Sequence, residues 1–337
     1  MKKGARDVII RKKLIFHYII IYGGHGMKKR ILVVSSANMD LVMNVPRLPL
    51  AGETLLADGS YRLVPGGKGA NAAIAVERLG GDCVFCAKTG RDANGEALRK
   101  LYASEGINMS ALRSTDEAAT GLAAITVEPD GTNRITVFPG ANNLLNADDA
   151  EEALLCYPDA LFTNFEVPDE AVLTAAHFAA KKGVPIVIDA GPAKPDFPFE
   201  KLPQLEIFSP NETETEILTG VLPCGADEAL RAALKLQNLV KSHYYVIKLG
   251  DRGALVYDGK YYNIASSYTV KAVDTTAAGD AFTAALTLEY LRSGNIMHSC
   301  RYANAVGALV VSRAGASTSI PTEKELAEFI KENEIKI

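Results

Sequence analysis

The residues best suited to chemistry lie in one short run, Asp274-Thr-Thr-Ala-Ala-Gly-Asp280, which leads into the helix-period segment Ala281–Arg292. Small residues ahead of a helix leave its first N–H groups open, and with the helix dipole these attract an anion. Gly279 lets a ligand approach the backbone with no Cβ in the way. Asp280 at the helix start would face that anion. A carboxylate held against a phosphate is repelled unless it takes up a proton during reaction. A general base does this when it deprotonates a hydroxyl attacking a γ-phosphate. The same residues also read as an aspartate N-cap and nothing more.

A second run, Pro65-Gly66-Gly67-Lys68-Gly69-Ala70-Asn71, sets glycines on both sides of a lysine and leads into the helical stretch Asn71–Leu79. Such a backbone can wrap closely around a polar ligand. The Walker A pattern fails, because position 62 is Arg and no Ser or Thr follows the lysine. Gly67-Lys-Gly69-Ala-Asn-Ala72 does match G-x-G-x-x-A. Against a dinucleotide site, Pro65 breaks the preceding strand, and no acidic residue stands at a strand end about 20 residues on. Asn211-Glu-Thr-Glu214 reads either as a capping box or as a carboxylate that orients metal-bound water or phosphate. Lys248-Leu-Gly250-Asp-Arg-Gly253 is a glycine turn that a nucleotide could lie against, or a bare hairpin.

These runs need a scaffold. Short apolar runs (Ile31–Ser35, Val84–Ala87, Ala160–Thr163, Pro185–Ile188, Ile207–Ser209, Tyr245–Leu249, Ala254–Tyr257) alternate with helical spacing over Asn71–Leu79, Asn94–Glu105, Asp169–Lys182, Asp227–Lys241 and Ala281–Arg292. The alternation predicts an α/β fold with a mostly parallel sheet covered by helices on both faces. Ligands bind beyond the carboxyl ends of such strands, where Asn38, Asp40, Asn164, Glu166, Asp189, Asn211 and Gly250 fall. Segments 41–63 and 121–138 switch to period-2 alternation with turn signals, which predicts hairpins able to join as a small sheet over one side of a pocket, a lid. Residues 27–337 are expected to form a single domain.

Composition narrows the classes. A net charge of −4 and a pI near 5.8 argue against a nucleic-acid partner. The five cysteines are scattered and odd in number, which suits reduced thiols in a cytoplasm, and Cys83-Val-Phe-Cys86 reads as core rather than a metal or redox pair. Residues 1–26 read as an upstream extension outside the fold. Their apolar stretch, Leu14–Tyr22, is too short to span a bilayer, and no small-x-small cleavage site follows it. No membrane partner is expected.

Together, Asn38-Met-Asp40, Gly66–Asn71, Asn211–Glu214 and Asp274–Asp280 resemble the ribokinase-like PfkB carbohydrate kinase family, in order from about Arg30 to Pro321. The resemblance implies a three-layer domain with a small β-sheet lid. It also implies ATP-dependent phosphorylation of a sugar's primary hydroxyl, with D-ribose at its 5-hydroxyl the expected substrate. On that likeness, Asn38, Asp40, Gly66, Gly67, Lys68, Asn71 and Glu166 hold the sugar and Asp280 is the base. The amides of Ala277, Ala278 and Gly279 form an anion hole. Asn211, Glu214, Lys248, Gly250, Gly253 and Asn304 border ATP. Asp274, Thr276, Val310, Arg313, Gly315 and Ser319 match loop positions that hold an activating monovalent cation, K⁺, largely through backbone oxygens. Mg²⁺ arrives with ATP.

The exposed lid strands need covering, which implies a homodimer formed through the lid. Three departures from the family pattern stand out: Ala72 for a glutamine, Asn164 in place of another glutamine, and Lys248 where a threonine is common. They leave deoxyribose, fructose, ketodeoxygluconate or a nucleoside such as pseudouridine as alternative substrates. A catalytically silent sugar-binding sensor is the reading from another class, and the presence of both Asp280 and Gly279 argues against it.

Overall fold

In the computed structural model, which describes residues 28–57 and 59–337, strands and helices alternate along the chain. In order they are β1 (Arg30–Val34), β2 (Asn38–Asn44), β3 (Tyr61–Gly66), α1 (Lys68–Arg78), β4 (Asp82–Gly90), α2 (Ala93–Ser104), β5 (Leu112–Thr115), β6 (Gly121–Val127) and β7 (Asn133–Phe138). Next come α3 (Ala147–Ala153), β8 (Ala160–Thr163), α4 (Asp169–Lys181), β9 (Ile186–Asp189), β10 (Leu205–Ser209), α5 (Glu212–Thr219) and α6 (Ala226–Leu239). The chain closes with β11 (Ser242–Lys248), β12 (Ala254–Tyr257), β13 (Tyr262–Ala265), α7 (Ala278–Ser293), α8 (Ile296–Val311) and α9 (Glu323–Glu332). The expectation for residues 1–26 lies outside the described residues.

The large sheet runs β13-β12-β11-β10-β9-β8-β1-β4-β5, parallel from β11 to β5, with β12 and β13 antiparallel at one edge. The chain builds outward from β1 through β4 to β5, then returns to the other side of β1 with β8. The order reverses between β1 and β8, so a crevice opens beyond their carboxyl ends.

Side chains alternate across the sheet. Ile31 and Val33 of β1 join a core with residues of α1, α7 and α8, whereas Leu32 and Val34 join one with α3, α4 and α6. Cys83 and Cys86 follow the same rule: three residues apart on β4, their thiols sit in cores on opposite faces, fully buried. They cannot share a metal or a disulfide, and burial pushes the Cys86 thiol up to about 12.

The two period-2 segments form the second sheet, ordered β3-β2-β6-β7. Each is an antiparallel hairpin, and β2 and β6 join them in parallel from Asn38↔Gly121 to Asn44↔Val127. The first hairpin is longer than its alternation indicates, starting at Asn38 and ending at Gly66. Beyond the sheets, α8 is not among the segments whose spacing predicts a helix, because its polar residues end at Asn304 and Ala305–Val311 is small or apolar throughout; buried Ala303, Val306 and Val310 share one core with α7.

Candidate active site

The crevice between β1 and β8 is laced shut by polar side chains. Ser35 Oγ donates to Asn164 Oδ1 at 2.7 Å, and the Glu166 N–H donates to the same oxygen at 3.1 Å. Ser36 Oγ donates to Glu166 Oε2, which also accepts from the Lys68 N–H at 3.0 Å. The start of α1 is thus pinned to the ends of both strands, and only glycine fits there. A Cβ at Gly69 would stand 2.4 Å from Ser35 Cβ, and one at Gly66 2.1 Å from Asp40 Oδ2. Gly67, the N-cap of α1, takes φ 92, a left-handed conformation.

Helices α1 and α7 meet over this crevice. Asn71 Nδ2 donates to Asp280 Oδ2 at 2.9 Å, and Lys68 Nζ lies 3.7 Å from Asp280 Oδ1. Asn71 Oδ1 is buried with no partner among the described residues, an acceptor available to a ligand hydroxyl. Asp280 beside it holds the Lys68 ammonium above the usual lysine value despite burial. Burial first, then the charges of Glu166 and Asp280, pushes Asp40 up to about 7. Burial likewise raises Glu166.

Ala277 caps α7 at φ 65 and ψ 0, left-handed without being glycine. The helix ladder opens with Ala281 N–H on the Ala277 carbonyl, so the N–H groups of Gly279 and Asp280 point out of the helix end, while that of Ala278 makes a long bond to the Thr275 carbonyl. Beneath that end lies Lys248. Its Nζ donates to Asp189 Oδ2 at 2.8 Å and reaches Thr283 Oγ1 at 3.2 Å, and Thr283 Oγ1 donates to Asp189 Oδ2 at 2.6 Å. A Cβ on Gly279 would stand 3.6 Å from this ammonium, so the Lys248–Asp189 ion pair lies with its positive end toward the start of α7.

Next to the α7 end opens a cavity of about 440 Å³, lined by Lys248, Gly250, Gly253, Tyr268, Gly279 and Asn304 among others. The Asn304 amide donates to the carbonyls of Ala265 and Ser266 and so holds the cavity wall in place. Asn211 and Glu214 do not line it. They form a capping box on α5: Glu214 Oε2 accepts from the Asn211 N–H and Asn211 Oδ1 from the Glu214 N–H, both at 2.8 Å. The second Glu214 oxygen faces Gly191, where a Cβ would stand 2.5 Å from it and 3.2 Å from Lys68 Nζ. Glu214 therefore belongs with the Lys68 cluster.

Two loops meet at Asp274. Its Oδ1 accepts from Thr276 N–H and Oγ1 at 2.9 and 2.7 Å, and its Oδ2 from Gly315 N–H at 3.0 Å, which holds the carboxyl below its usual range against the effect of burial. The Val310 carbonyl accepts from the Arg313 N–H, and Ser319 turns onto the Ala316 carbonyl. The Arg313 guanidinium points elsewhere, to Glu325 Oε1 at 3.0 Å. Three residues absent from the sequence-derived site also act here. Ser36 and Thr283 hold Glu166 and Lys248, and Asn142 bonds Asn38; their signal is tertiary only, since each meets its partner across at least 35 residues.

Residues 28–323 match the model of the pfkB family of carbohydrate kinases. The chain is 35% identical to a ribokinase of Haemophilus influenzae, covering 90% of this chain and 99% of that protein. It is 30% identical to a deoxyribokinase of Salmonella typhi with the same coverage of both. Its fold superimposes with a TM-score of 0.84 on Arabidopsis thaliana ribokinase complexed with ribose and ATP, at 31% identity over 90% of this chain and 99% of that one.

Proposed function

The chain belongs to the pfkB family of carbohydrate kinases, and on that premise we propose that it transfers the γ-phosphoryl group of ATP to the 5-hydroxyl of D-ribose, giving ribose 5-phosphate and ADP. The observation that carries this reading is the Lys68–Asn71–Asp280 cluster beside an open helix end, in a chain similar over 90% of its length to a ribokinase. Asp280, oriented by Asn71, takes the proton of the attacking hydroxyl. That oxygen then bonds the γ-phosphorus as the bond to ADP breaks. The amides of Ala277 and Gly279, and that of Ala278 once it leaves its long bond to the Thr275 carbonyl, meet the charge that develops on the transferring group, with Lys248 behind them.

Asn38, Asp40, Gly66, Gly67, Lys68, Asn71 and Glu166 hold the sugar, while the cavity bordered by Gly250, Gly253 and Asn304 takes the nucleoside end of ATP. Glu214 keeps one carboxylate oxygen outside its capping box, which suits a water-clad Mg²⁺ at the phosphates, and that ion would neutralise phosphate charge. The backbone oxygens of the loops joined by Asp274 suit a monovalent cation, K⁺, with the Arg313 side chain turned aside. The lid closes over the sugar to exclude water and, through its apolar faces, pairs two chains into a homodimer.

A second reading, 2-deoxyribose as acceptor, draws on the deoxyribokinase relative and on Asn164, which stands where the family pattern has a glutamine. The test is coupled ADP release with ATP–Mg²⁺ and K⁺ over ribose, deoxyribose, fructose, ketodeoxygluconate, adenosine and pseudouridine. Preference for ribose is expected. Preference for another acceptor would overturn the ribose assignment, and sugar binding without turnover would overturn catalysis in favour of a sensor.

A further inference from the structure

We propose that Asn142 is a positioning residue that dictates which end of the Asn38 amide is offered to the substrate. The proposal rests on the sugar-kinase reading, since it takes the group facing Asn38 to be a sugar oxygen.

Asn142 lies in the 3₁₀ turn Gly140–Leu144, directly after the last lid strand, and is 1% exposed. Its Oδ1 accepts from the backbone N–H of Ala37 at 2.9 Å. A backbone N–H can only donate, so the orientation of the Asn142 amide is settled. Its Nδ2 is then the atom that meets Asn38, 2.6 Å from Asn38 Oδ1. An amide nitrogen can only donate as well, so Asn38 must turn its oxygen inward. The Nδ2 of Asn38 donates to none of the described residues and is the end left for a ligand. A chain of two amides thereby converts the polarity of one backbone N–H into a fixed donor at the sugar site.

The surroundings hold this arrangement. Asn142 Nδ2 also approaches the Ala37 carbonyl at 3.4 Å. Gly121 presses on the pair so closely that a Cβ there would stand 2.2 Å from Asn38 Oδ1 and 2.3 Å from Asn142 Nδ2. Two residues along the same face of β2, Asp40 supplies a carboxyl. A substrate hydroxyl that accepts from Asn38 thus has an acceptor close by for a neighbouring hydroxyl, and a donor–acceptor pair of this kind selects a polyol.

Three variants test the idea: Asn142→Asp, Asn142→Ala and Asn38→Asp, each measured for sugar KM, ATP KM, kcat and melting temperature. A carboxylate at 142 has no hydrogen for Asn38, so the Asn38 amide turns and offers its oxygen outward; a carboxylate at 38 does the same directly. The sugar hydroxyl can then meet that oxygen only by turning its own hydrogen away from whatever it donates to, so both are expected to raise the sugar KM about tenfold, with ATP KM nearly unchanged. Asn142→Ala frees the Asn38 amide to adopt either end and should raise sugar KM less. If alanine at 142 is worse than aspartate, or if ATP KM rises equally, Asn142 merely braces the fold and the proposal is overturned. Should the Asn142 variants not fold, an unchanged sugar KM in Asn38→Asp overturns it alone. Failure of the kinase reading looks different: wild-type protein that releases no ADP with any sugar. The same ordering is then read from the melting shift produced by ribose, and no shift in the wild type overturns the positioning role too.

Discussion

Asp280 carries one bond from Asn71 and one nearby cation, so its removal can be separated from the loss of binding. Asp280→Asn keeps the shape of the helix start; kcat should fall by about 10²–10⁴-fold while melting shifts from sugar and ATP persist. Normal turnover would dismiss it as the base. Asp40 makes a pH prediction. Its carboxyl is pushed up to about 7, so the fold favours the protonated form: that stability is present in acid and is lost as pH rises through about 7. Sugar binding runs the other way, because an ionised carboxylate is the better acceptor for hydroxyls. The sugar KM should rise as pH falls below about 7, and Asp40→Asn should flatten the profile.

Lys248 gives a third residue-level test. Lys248→Met leaves Asp189 charged and unpaired in the core, which should lower unfolding free energy by about 3–5 kcal/mol in denaturant melts; adding Asp189→Asn should restore most of it. Asp280, Lys68 and Asn71 were legible in sequence because each sits within a short run whose local conformation is itself diagnostic. Asn142 and Thr283 were not, because their partners are distant in the chain. Asn211 reads in sequence as a cap or a ligand-bordering residue, and its Oδ1 caps α5.

At the scale of elements, α7 starts from a strained position. A non-glycine residue in the left-handed region costs about 1–2 kcal/mol, partly offset by the entropy that glycine would lose on folding. Ala277→Gly should therefore leave stability equal or higher by up to about 1 kcal/mol. Ala277→Val, with a branched Cβ, should both destabilise the protein and lower kcat, as read by thermal melts and ADP release. Equal effects of the two would show that this turn is not under strain. The strands of the parallel sheet and the lid hairpins were readable because period-2 runs and unbroken apolar runs differ from helical spacing. Helix α8 was harder to read because its polar residues, among them His298 and Arg301, end at Asn304, and Ala305–Val311 is small or apolar throughout.

For the whole molecule, both faces of the lid present apolar side chains. Ile135 and Val137 on one face of β7 are 57% and 48% exposed, and Phe138 on the other is 56% exposed. A second lid packed on the face that carries Ile135 and Val137 would cover that pair. Light scattering should give twice the 36.0 kDa chain mass, and Ile135→Asp should return the protein to that single mass with a higher sugar KM. A wild-type monomer at working concentration would remove the lid-to-lid interface from consideration.

Each lid hairpin leaves the body and returns to nearly the same place. The first departs after Ser36 and ends where the Ala70 N–H meets the Ser36 carbonyl at 3.1 Å; the second is closed by the Ala141 N–H on the Ala119 carbonyl at 2.8 Å. Both are excursions tied off at the neck, and cutting either short would leave the strand order of the large sheet as it is. Such a scaffold can exchange its cover without redesigning its floor. Acceptors of different size could then be accommodated, in evolution or in the laboratory, by regrafting two loops while the phosphate-handling end of α7 is inherited unchanged.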